Sequence, residues 1–182
     1  DVEALRDKVN TEGFSFENTY FQLTEDITLP TVWKPIGVTK DGRKDLKNGE
    51  NLNAFSGIFD GNNHTVTVPE GGLPLFGYVR NTRIRNLNIY GKKIAGYGLV
   101  NNFEGVGLSG MAVEIDNVTL KSGSSTLKSG LLGANKTMSP YAGCSSAFEA
   151  TVRNCTIEKD VVIGYDRNEN EIGAIAGRMQ GT

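Results

Sequence analysis

The chain has 182 residues, close to the commonest size for one domain, so we expect a single domain with a sizeable core. Lys and Arg number 19 against 21 Asp and Glu, a balance that argues against a strongly basic surface for nucleic acid or anionic lipid. The longest apolar runs are only a few residues, so we expect no membrane insertion by this segment. One histidine and two cysteines leave little material for clustered metal or nucleophile chemistry, and we expect no cofactor.

The beginning of the chain differs from the rest in its periodicity. Val2, Leu5 and Val9 have the spacing of one helix face. Asn10 and Gly13 then act as stop signals. The first thirteen residues are therefore predicted to form a short helix that caps an open sheet end.

From residue 14 to residue 182 the pattern is that of short β-strands. Runs of β-branched and aromatic residues alternate with polar ones, as at 20–24, 27–29 and 65–68, and glycine and asparagine separate the runs. The body is therefore predicted to be all-β, with the polar stretch 38–54 as an exposed loop.

Two interleaved patterns repeat along the chain. The first reads apolar, polar, Asn, apolar, polar, apolar, and its asparagines lie 31 and 37 residues apart, at Asn86, Asn117 and Asn154. The second is a glycine followed by apolar residues. It occurs at Gly98, Gly130 and Gly173, with a glycine-shifted relative at 75–77. Repeats of this length that are built from short strands predict either a solenoid or a propeller.

The content of one repeat favours the solenoid. Each repeat offers two or three short strands, without a second hairpin strand and without the Trp-Asp signal of propeller blades. We therefore predict a right-handed parallel β-helix, in which each strand pairs with its copies in neighbouring repeats and like residues stack. Asparagine tolerates the left-handed backbone of a corner, so the three asparagines are predicted to form a hydrogen-bonded ladder. Two inward aliphatic stacks are expected, Leu87 with Val118 and Cys155, and Ile89 with Leu120 and Ile157.

Several motifs together carry a family resemblance. They are WKPIG at 33–37, FSGIFDGN at 55–62, LFGYV at 75–79 and IRNL at 84–87. The chain resembles the β-helical repeat domains of bacterial surface and secreted proteins that carry the GLUG motif, Gly-Leu-apolar-Gly. Residues 130–133 match that motif as written, whereas the copy at Gly98 departs at Asn101 and the copy at Gly173 departs at Ala174 and Ala176.

This resemblance implies a location outside the cell or on the bacterial cell surface, and no catalytic residue. Similar repeats occur in adhesin-like proteins and beside immunoglobulin A protease domains. The leading hypothesis is a non-enzymatic module that acts as a stalk or as an adhesive face for a glycan or a host surface protein. One alternative is an accessory domain of a surface peptidase.

The other alternative is a truncated carbohydrate-active enzyme of the polysaccharide lyase or glycoside hydrolase type. Such an enzyme needs carboxylates clustered on one face. The candidate carboxylates are instead scattered along the chain, at Asp60, Glu104, Asp116, Glu149 and Glu158. The sequence therefore favours the non-enzymatic hypothesis.

Exposed aromatic residues are the best candidates for ligand binding, because their rings stack on sugars and on partner side chains. The candidates are Tyr78, Tyr90, Tyr97, Phe103 and Tyr141, about half of which we expect to belong to the core. The single histidine, His64, stands in a segment rich in Gly and Asn, and we predict a structural role for it at a tight corner.

Two further features have weak signals. Asp166, Asn168 and Asn170 alternate as at the start of a Ca²⁺ loop, but Glu171 replaces the required glycine, which favours a solvated loop without metal. Cys144 and Cys155 form either a disulfide or two free thiols. Free thiols are favoured, because Cys155 occupies a core position of the repeat.

The last residues bear on assembly. Residues 173–181 begin another repeat that the chain does not complete, so we expect further repeats in a longer parent protein. The chain itself is expected to be a monomer whose open C-terminal edge allows end-to-end association.

Overall fold

The computed structural model describes residues 1–39, 52–104, 113–135, 150–166 and 172–178. These residues are mostly β, with parallel sheets and one short N-terminal helix. Helix α1 is Val2–Asp7 and continues as a π-helical turn, Lys8–Glu12. The strands are β1 (Tyr20–Gln22), β2 (Ile27–Thr28), β3 (Val38–Thr39), β4 (Leu52–Asn53), β5 (Ile58–Asp60), β6 (Thr65–Val68), β7 (Phe76–Arg80), β8 (Arg83–Gly91), β9 (Val100–Glu104), β10 (Val113–Leu120), β11 (Ser125–Thr126), β12 (Leu132–Asn135), β13 (Ala150–Arg153), β14 (Thr156–Ile157), β15 (Val162–Ile163) and β16 (Ala176–Arg178).

The N-terminal helix is capped at its start by Asp1, and the turn that continues it ends at the predicted stop signal, Gly13. The Asp1 carboxylate accepts hydrogen bonds from the first free N–H groups of α1, at Glu3 and Ala4. Leu5 and the following Val9 are buried against the core. Gly13 closes the π-helical turn in the left-handed conformation, with φ 78°. Within the described ranges, no helix has the length and apolar character needed to cross a bilayer.

All but one of the strand pairs are parallel, counting only the described residues. The largest sheet has the order β1-β5-β8-β10-β13. In the same sheet β2 pairs with β6, β6 pairs with β8, and β14 pairs with β10. The second sheet has the order β7-β9-β12-β16, and β11 pairs with β15. Spatial order therefore follows chain order along each of these series, so that each interior strand lies between a preceding and a following strand of the chain.

The register places equivalent residues of successive repeats beside one another. Ile115 pairs with Ile84 on one side and with Val152 on the other, and Val118 pairs with Leu87. Leu87 and Val118 are fully buried, as are Ile89 and Leu120 of the second predicted stack. Cys155 and Ile157, at the last described level, are only partly buried against the core.

The three repeat asparagines share a rare backbone conformation. Asn86, Asn117 and Asn154 have φ angles of 50°, 54° and 54°, the left-handed region that asparagine tolerates better than most residues. The Asn117 side-chain amide donates to Asn86 Oδ1 at 2.9 Å. Asn154 donates instead to Asp116 Oδ1, also at 2.9 Å, so the ladder has one amide–amide step and one amide–carboxylate step.

Glycine recurs where the backbones of adjacent repeats approach closely. A Cβ atom on Gly98 would overlap the Gly130 carbonyl oxygen, and one on Gly130 would overlap that of Ala174. No side chain fits in that space, which explains the first glycine of the motif physically.

The register also corrects the last copy of this motif. Leu132 pairs with Ala176, so Ala174 rather than Gly173 is the counterpart of Gly130. The copy predicted to begin at Gly173 is therefore wrong by one residue. The error arises because two small residues stand side by side there, and the sequence alone does not say which one faces the preceding repeat.

The predicted exposed loop 38–54 is wrong at its two ends. Val38 pairs with Asn53 in the antiparallel pair β3–β4. Asn53 and Ala54 are buried. The interior of this stretch, residues 40–51, lies outside the described residues. A paired stem, buried at Asn53 and Ala54, thus encloses a polar stretch of sequence, and composition alone did not reveal this pairing.

One side chain fastens the N-terminal cap to the sheets. The Asn10 amide donates to the Pro35 carbonyl oxygen at 2.9 Å, and its oxygen accepts from the Gly37 N–H at 2.8 Å. These are the two backbone groups that a neighbouring strand would otherwise satisfy. Asn53 in turn donates to the Asn10 carbonyl oxygen at 2.7 Å. Asn10 therefore substitutes for a strand at this edge.

The left-handed corner yields a test at Asn117. We expect Asn117→Ala to be less stable than Asn117→Gly by about 1 kcal/mol, because both lose the amide but only glycine adopts positive φ without steric cost. At Thr119, within the extended strand β10, we expect the opposite order of stability, with Thr119→Gly less stable than Thr119→Ala. Urea unfolding of the four variants checks this. Equal stability of Asn117→Ala and Asn117→Gly would contradict the account.

Candidate functional site

A row of charged side chains runs along the outer face of the largest sheet. Successive strands β5, β8, β10 and β13 bring four residues into register, Asp60 beside Arg85, Arg85 beside Asp116 and Asp116 beside Arg153. These four residues form the charge column. They point away from the core because side chains alternate across a strand and their neighbours Phe59, Ile84 and Ile115 point inward.

Charge alternates strictly along this column. Arg85 Nε lies 2.8 Å from Asp60 Oδ2, and Arg153 Nε lies 3.0 Å from Asp116 Oδ2. Beside the column, Arg83 Nε lies 2.6 Å from Glu114 Oε2. Opposite charges on adjacent parallel strands attract, whereas like charges in these positions would repel. The column is therefore electrically neutral and internally paired.

Asp60 is the most buried member, with 5% of its surface exposed. Its Oδ2 accepts from Arg85 Nε and from the Tyr20 hydroxyl at 3.0 Å. Its Oδ1 accepts from the Asn62 N–H at 2.9 Å and from the Asn86 amide at 3.1 Å. Both carboxylate oxygens are thus fully engaged, and this one side chain connects the charge column with the asparagine ladder.

These contacts keep the acids ionised. Burial alone would raise the pKa of the Asp60 carboxyl, but hydrogen bonds from Asn62, Asn86, Tyr20 and Arg85 hold it below its usual value. The pKa of Asp116 is lowered by the hydrogen bond from Asn154 and by Arg153. Such groups accept hydrogen bonds at neutral pH and are unsuited to donate a proton.

The metal and proton chemistry of the described part is correspondingly limited. Among its residues there is no group of three or more His, Cys, Asp or Glu side chains that could hold a metal ion. Every described carboxyl whose pKa is shifted has it lowered, namely Asp7, Asp26, Asp60, Asp116 and Glu158. What these residues offer is a surface of fixed charges and amides.

The structure places the predicted binding aromatics in different environments. Tyr78 and Phe103 are 1% exposed and Tyr97 is 7% exposed, so the prediction that they are exposed is wrong. Phe103 belongs to the hydrophobic core. Tyr90 is partly exposed on β8, and Tyr141 lies outside the described residues. Hydrophobicity and spacing could not reveal which aromatic residues neighbouring segments cover.

Other aromatic residues are more exposed than the predicted ones. Phe14 is 52% exposed, Tyr20 48% and Tyr165 37%. Tyr20 is paired with Ile58, but its hydroxyl reaches Asp60, the first member of the charge column, and the Arg85 guanidinium carbon lies 5.8 Å from its ring centre. A sequence signal for it existed, because residues 20–24 alternate and Tyr20 has the parity of the polar Gln22. The charge column and Tyr20 together form the polar strip.

The single histidine connects two repeats. His64 Nδ1 lies 3.2 Å from Asp26 Oδ1, and the same oxygen accepts from the Thr65 N–H at 2.8 Å. The hydrogen bond from Thr65, followed by that from His64, lowers the pKa of Asp26. His64 thus contacts a carboxylate that bridges the turns before β2 and β6.

The remaining predicted residues are only partly described. Cys155 is a free cysteine whose thiol pKa is raised by burial, while Cys144 lies outside the described residues. Of the weak Ca²⁺ candidates, Asp166 is described, and Asn168 and Asn170 are not.

Comparison of the chain with family models, with curated proteins and with solved structures finds no match in any of the three. Its functional assignment therefore depends on the fold and on the polar strip.

The burial of Asp60 gives a test with a defined pH dependence. We expect Asp60→Asn to lower the free energy of unfolding at pH 7 by about 1.5–3 kcal/mol, because it removes a charged acceptor from buried hydrogen bonds. Asp116→Asn should cost less, because that ion pair is more exposed to solvent.

The sign of the pH dependence follows from the lowered pKa of Asp60. Its contribution is complete above the unfolded-state pKa of about 3.9 and disappears as the pH falls through the folded-state pKa. The stability difference between wild type and Asp60→Asn should thus shrink below about pH 4 in urea titrations. A difference that stays constant from pH 7 to pH 2 would contradict this.

Proposed function

We propose that the chain is a right-handed parallel β-helix that serves as a non-enzymatic module of a bacterial cell-surface protein and presents the polar strip to a glycan. The observation that carries the proposal is the polar strip itself. It combines stacked, mutually paired charges with an exposed aromatic ring on one sheet, and lowered pKa values keep its carboxylates ionised.

The path of the chain supports the β-helix. From β8 onward the chain passes in the same order through the largest sheet, the β11–β15 line and the second sheet. Ile94 precedes β11 in this line and pairs with Thr126. Three parallel lines visited in rotation are what a closed solenoid requires. The right hand follows from the strong preference of parallel crossovers.

The family resemblance supports the surface location. Its motifs lie beside one another in the second sheet. Their residues pair in succession across it, Ile36 with Phe76, Phe76 with Val100 and Val100 with Leu132. Adhesion and display are functions of the surface proteins that the chain resembles. A stalk role uses the same architecture without any ligand on the strip.

The enzyme alternative gains no specific support from the polar strip. A glycosidase needs one carboxyl that stays protonated to act as the acid. Asp60 and Asp116 instead have lowered pKa values and are paired with arginines. No observation on the described residues favours the peptidase-accessory alternative either. Both alternatives are therefore set below the display module.

The proposal is tested by affinity electrophoresis of the purified chain through gels that contain mucin, pectin or xylan, with and without Ca²⁺. We expect retardation in at least one gel. Tyr20→Ala should weaken that retardation by about tenfold in apparent affinity, because the aromatic ring supplies much of a sugar-stacking contact.

Tyr165→Ala is the matched control, because Tyr165 is also exposed but lies outside the polar strip. It should migrate like wild type. Absence of retardation in every gel would contradict glycan display and leave the stalk role, and retardation that Tyr20→Ala leaves unchanged would show that the polar strip is not the binding face.

A further inference from the structure

The N-terminal end of the strand stack contains a groove that the polar strip does not use. It has a volume of about 640 Å³ and lies between helix α1 and the strands β1 and β2. This volume is within the range of pockets that bind ligands. The groove is lined on one side by α1 residues such as Val2 and Leu5, and on the other by residues 21–25, Ile27 and Thr28.

One wall of the groove is an open sheet edge. Among the described strands, β1 pairs only with β5, and β2 pairs only with β6. The Thr19 carbonyl accepts from the Ile58 N–H, and the Leu23 N–H donates to the Asp60 carbonyl, so alternate residues of this segment face β5. The backbone groups of Tyr20 and Gln22 consequently face the opposite side, away from β5.

The floor of the groove consists of apolar side chains that the rest of the protein covers only partly. The apolar side chains here pack against the core but are only partly buried, whereas their counterparts in the middle of the stack are fully buried. These groove side chains are Val2, Phe16, Phe21, Leu23 and Ile27. A bound apolar side chain would therefore complete at this end the burial that each repeat provides for its neighbour.

Acidic side chains dominate the charge of the groove. The carboxylates of Asp1, Glu3 and Glu25 line it, and Lys8 is the one Lys or Arg among its lining residues. The Lys8 ammonium is already 3.3 Å from the Glu12 carboxylate. Asp1 already caps α1 and Glu3 Oε2 lies 3.7 Å from Arg6 Nη2, so Glu25 is the acid best placed to pair with a cationic side chain of an occupant.

We propose that this groove binds an extended peptide of a partner protein by strand addition to the β1 edge. The peptide would lie beside β1 at the usual strand spacing of about 4.8 Å and hydrogen-bond the backbone of Tyr20 and Gln22. Its alternate side chains would be apolar and face Phe21, and a Lys or Arg would face Glu25.

The position of α1 selects a peptide over a second copy of the chain. Leu5 and Val9 are buried in the core at this end, so the helix covers apolar surface on which a complete repeat of a second copy would have to stack. The groove of about 640 Å³ between α1 and the strands remains open to an extended segment. This inference goes beyond the proposed display function and does not depend on it.

The test is selection of a displayed library of random ten-residue peptides on the immobilised chain. We expect enriched peptides with alternating apolar residues and at least one Lys or Arg. Their synthetic forms should slow amide hydrogen exchange at Tyr20 and Gln22, as strand pairing requires. Failure to enrich any peptide, or binding without added protection at these amides, would overturn the proposal.

Two variants locate the binding site. Gln22→Pro removes an N–H from the open edge, where proline is tolerated, and should weaken peptide binding at least tenfold. Gln22→Ala keeps that N–H and should weaken binding much less than Gln22→Pro. Glu25→Lys should weaken the basic peptides at least threefold without changing the backbone. Thermal melts establish that each variant is folded. Equal affinity of wild type, Gln22→Pro and Glu25→Lys would place binding elsewhere and overturn the proposal.

Discussion

Parallel pairing of each strand with its copy in the next repeat is the constraint on which the other features depend. Because the pairing is in register, each paired strand residue has its counterpart about 4.8 Å away in the neighbouring repeat. Ile84, Ile115 and Val152 show this on the inner face, and Arg85, Asp116 and Arg153 show it on the outer face. The side chain of a residue in one repeat must therefore be compatible with the side chains of its partners in the two neighbouring repeats.

Three different solutions to that requirement are visible. Apolar side chains stack directly, since like residues pack well on one another. Charged residues alternate in sign, so that Asp60 and Asp116 each have an arginine on the neighbouring strand. Where backbones approach most closely, as between Gly98 and Gly130, the side chain is absent. The polar strip is thus a consequence of stacking as much as a candidate binding face.

Sequence reasoning could predict the features that repeat. The spacing of the asparagines predicted the alignment of β8, β10 and β13, and the period of the first residues predicted the helix. It could not predict features that occur once. Asp60 stands outside the repeated hexapeptide, and its contact with Asn86 arises only when strands are paired.

Burial by other segments was equally hidden. Tyr78 looks like an outward aromatic in its own strand, yet it is almost inaccessible to solvent. Asn10 looked like a helix stop, whereas its amide also replaces a strand at the Pro35–Gly37 edge. In both cases the decisive partner is distant in sequence and has no periodic relation to the residue.

Cross-linking of register partners tests the central claim of in-register parallel stacking most directly. Asn88 and Thr119 are partners on the outer face of β8 and β10. With the native cysteines replaced, Asn88→Cys with Thr119→Cys should form a disulfide under mild oxidation. Asn88→Cys with Lys121→Cys, about 8 Å apart by strand geometry, should not. Efficient cross-linking of the second pair, or of neither pair, would contradict the account.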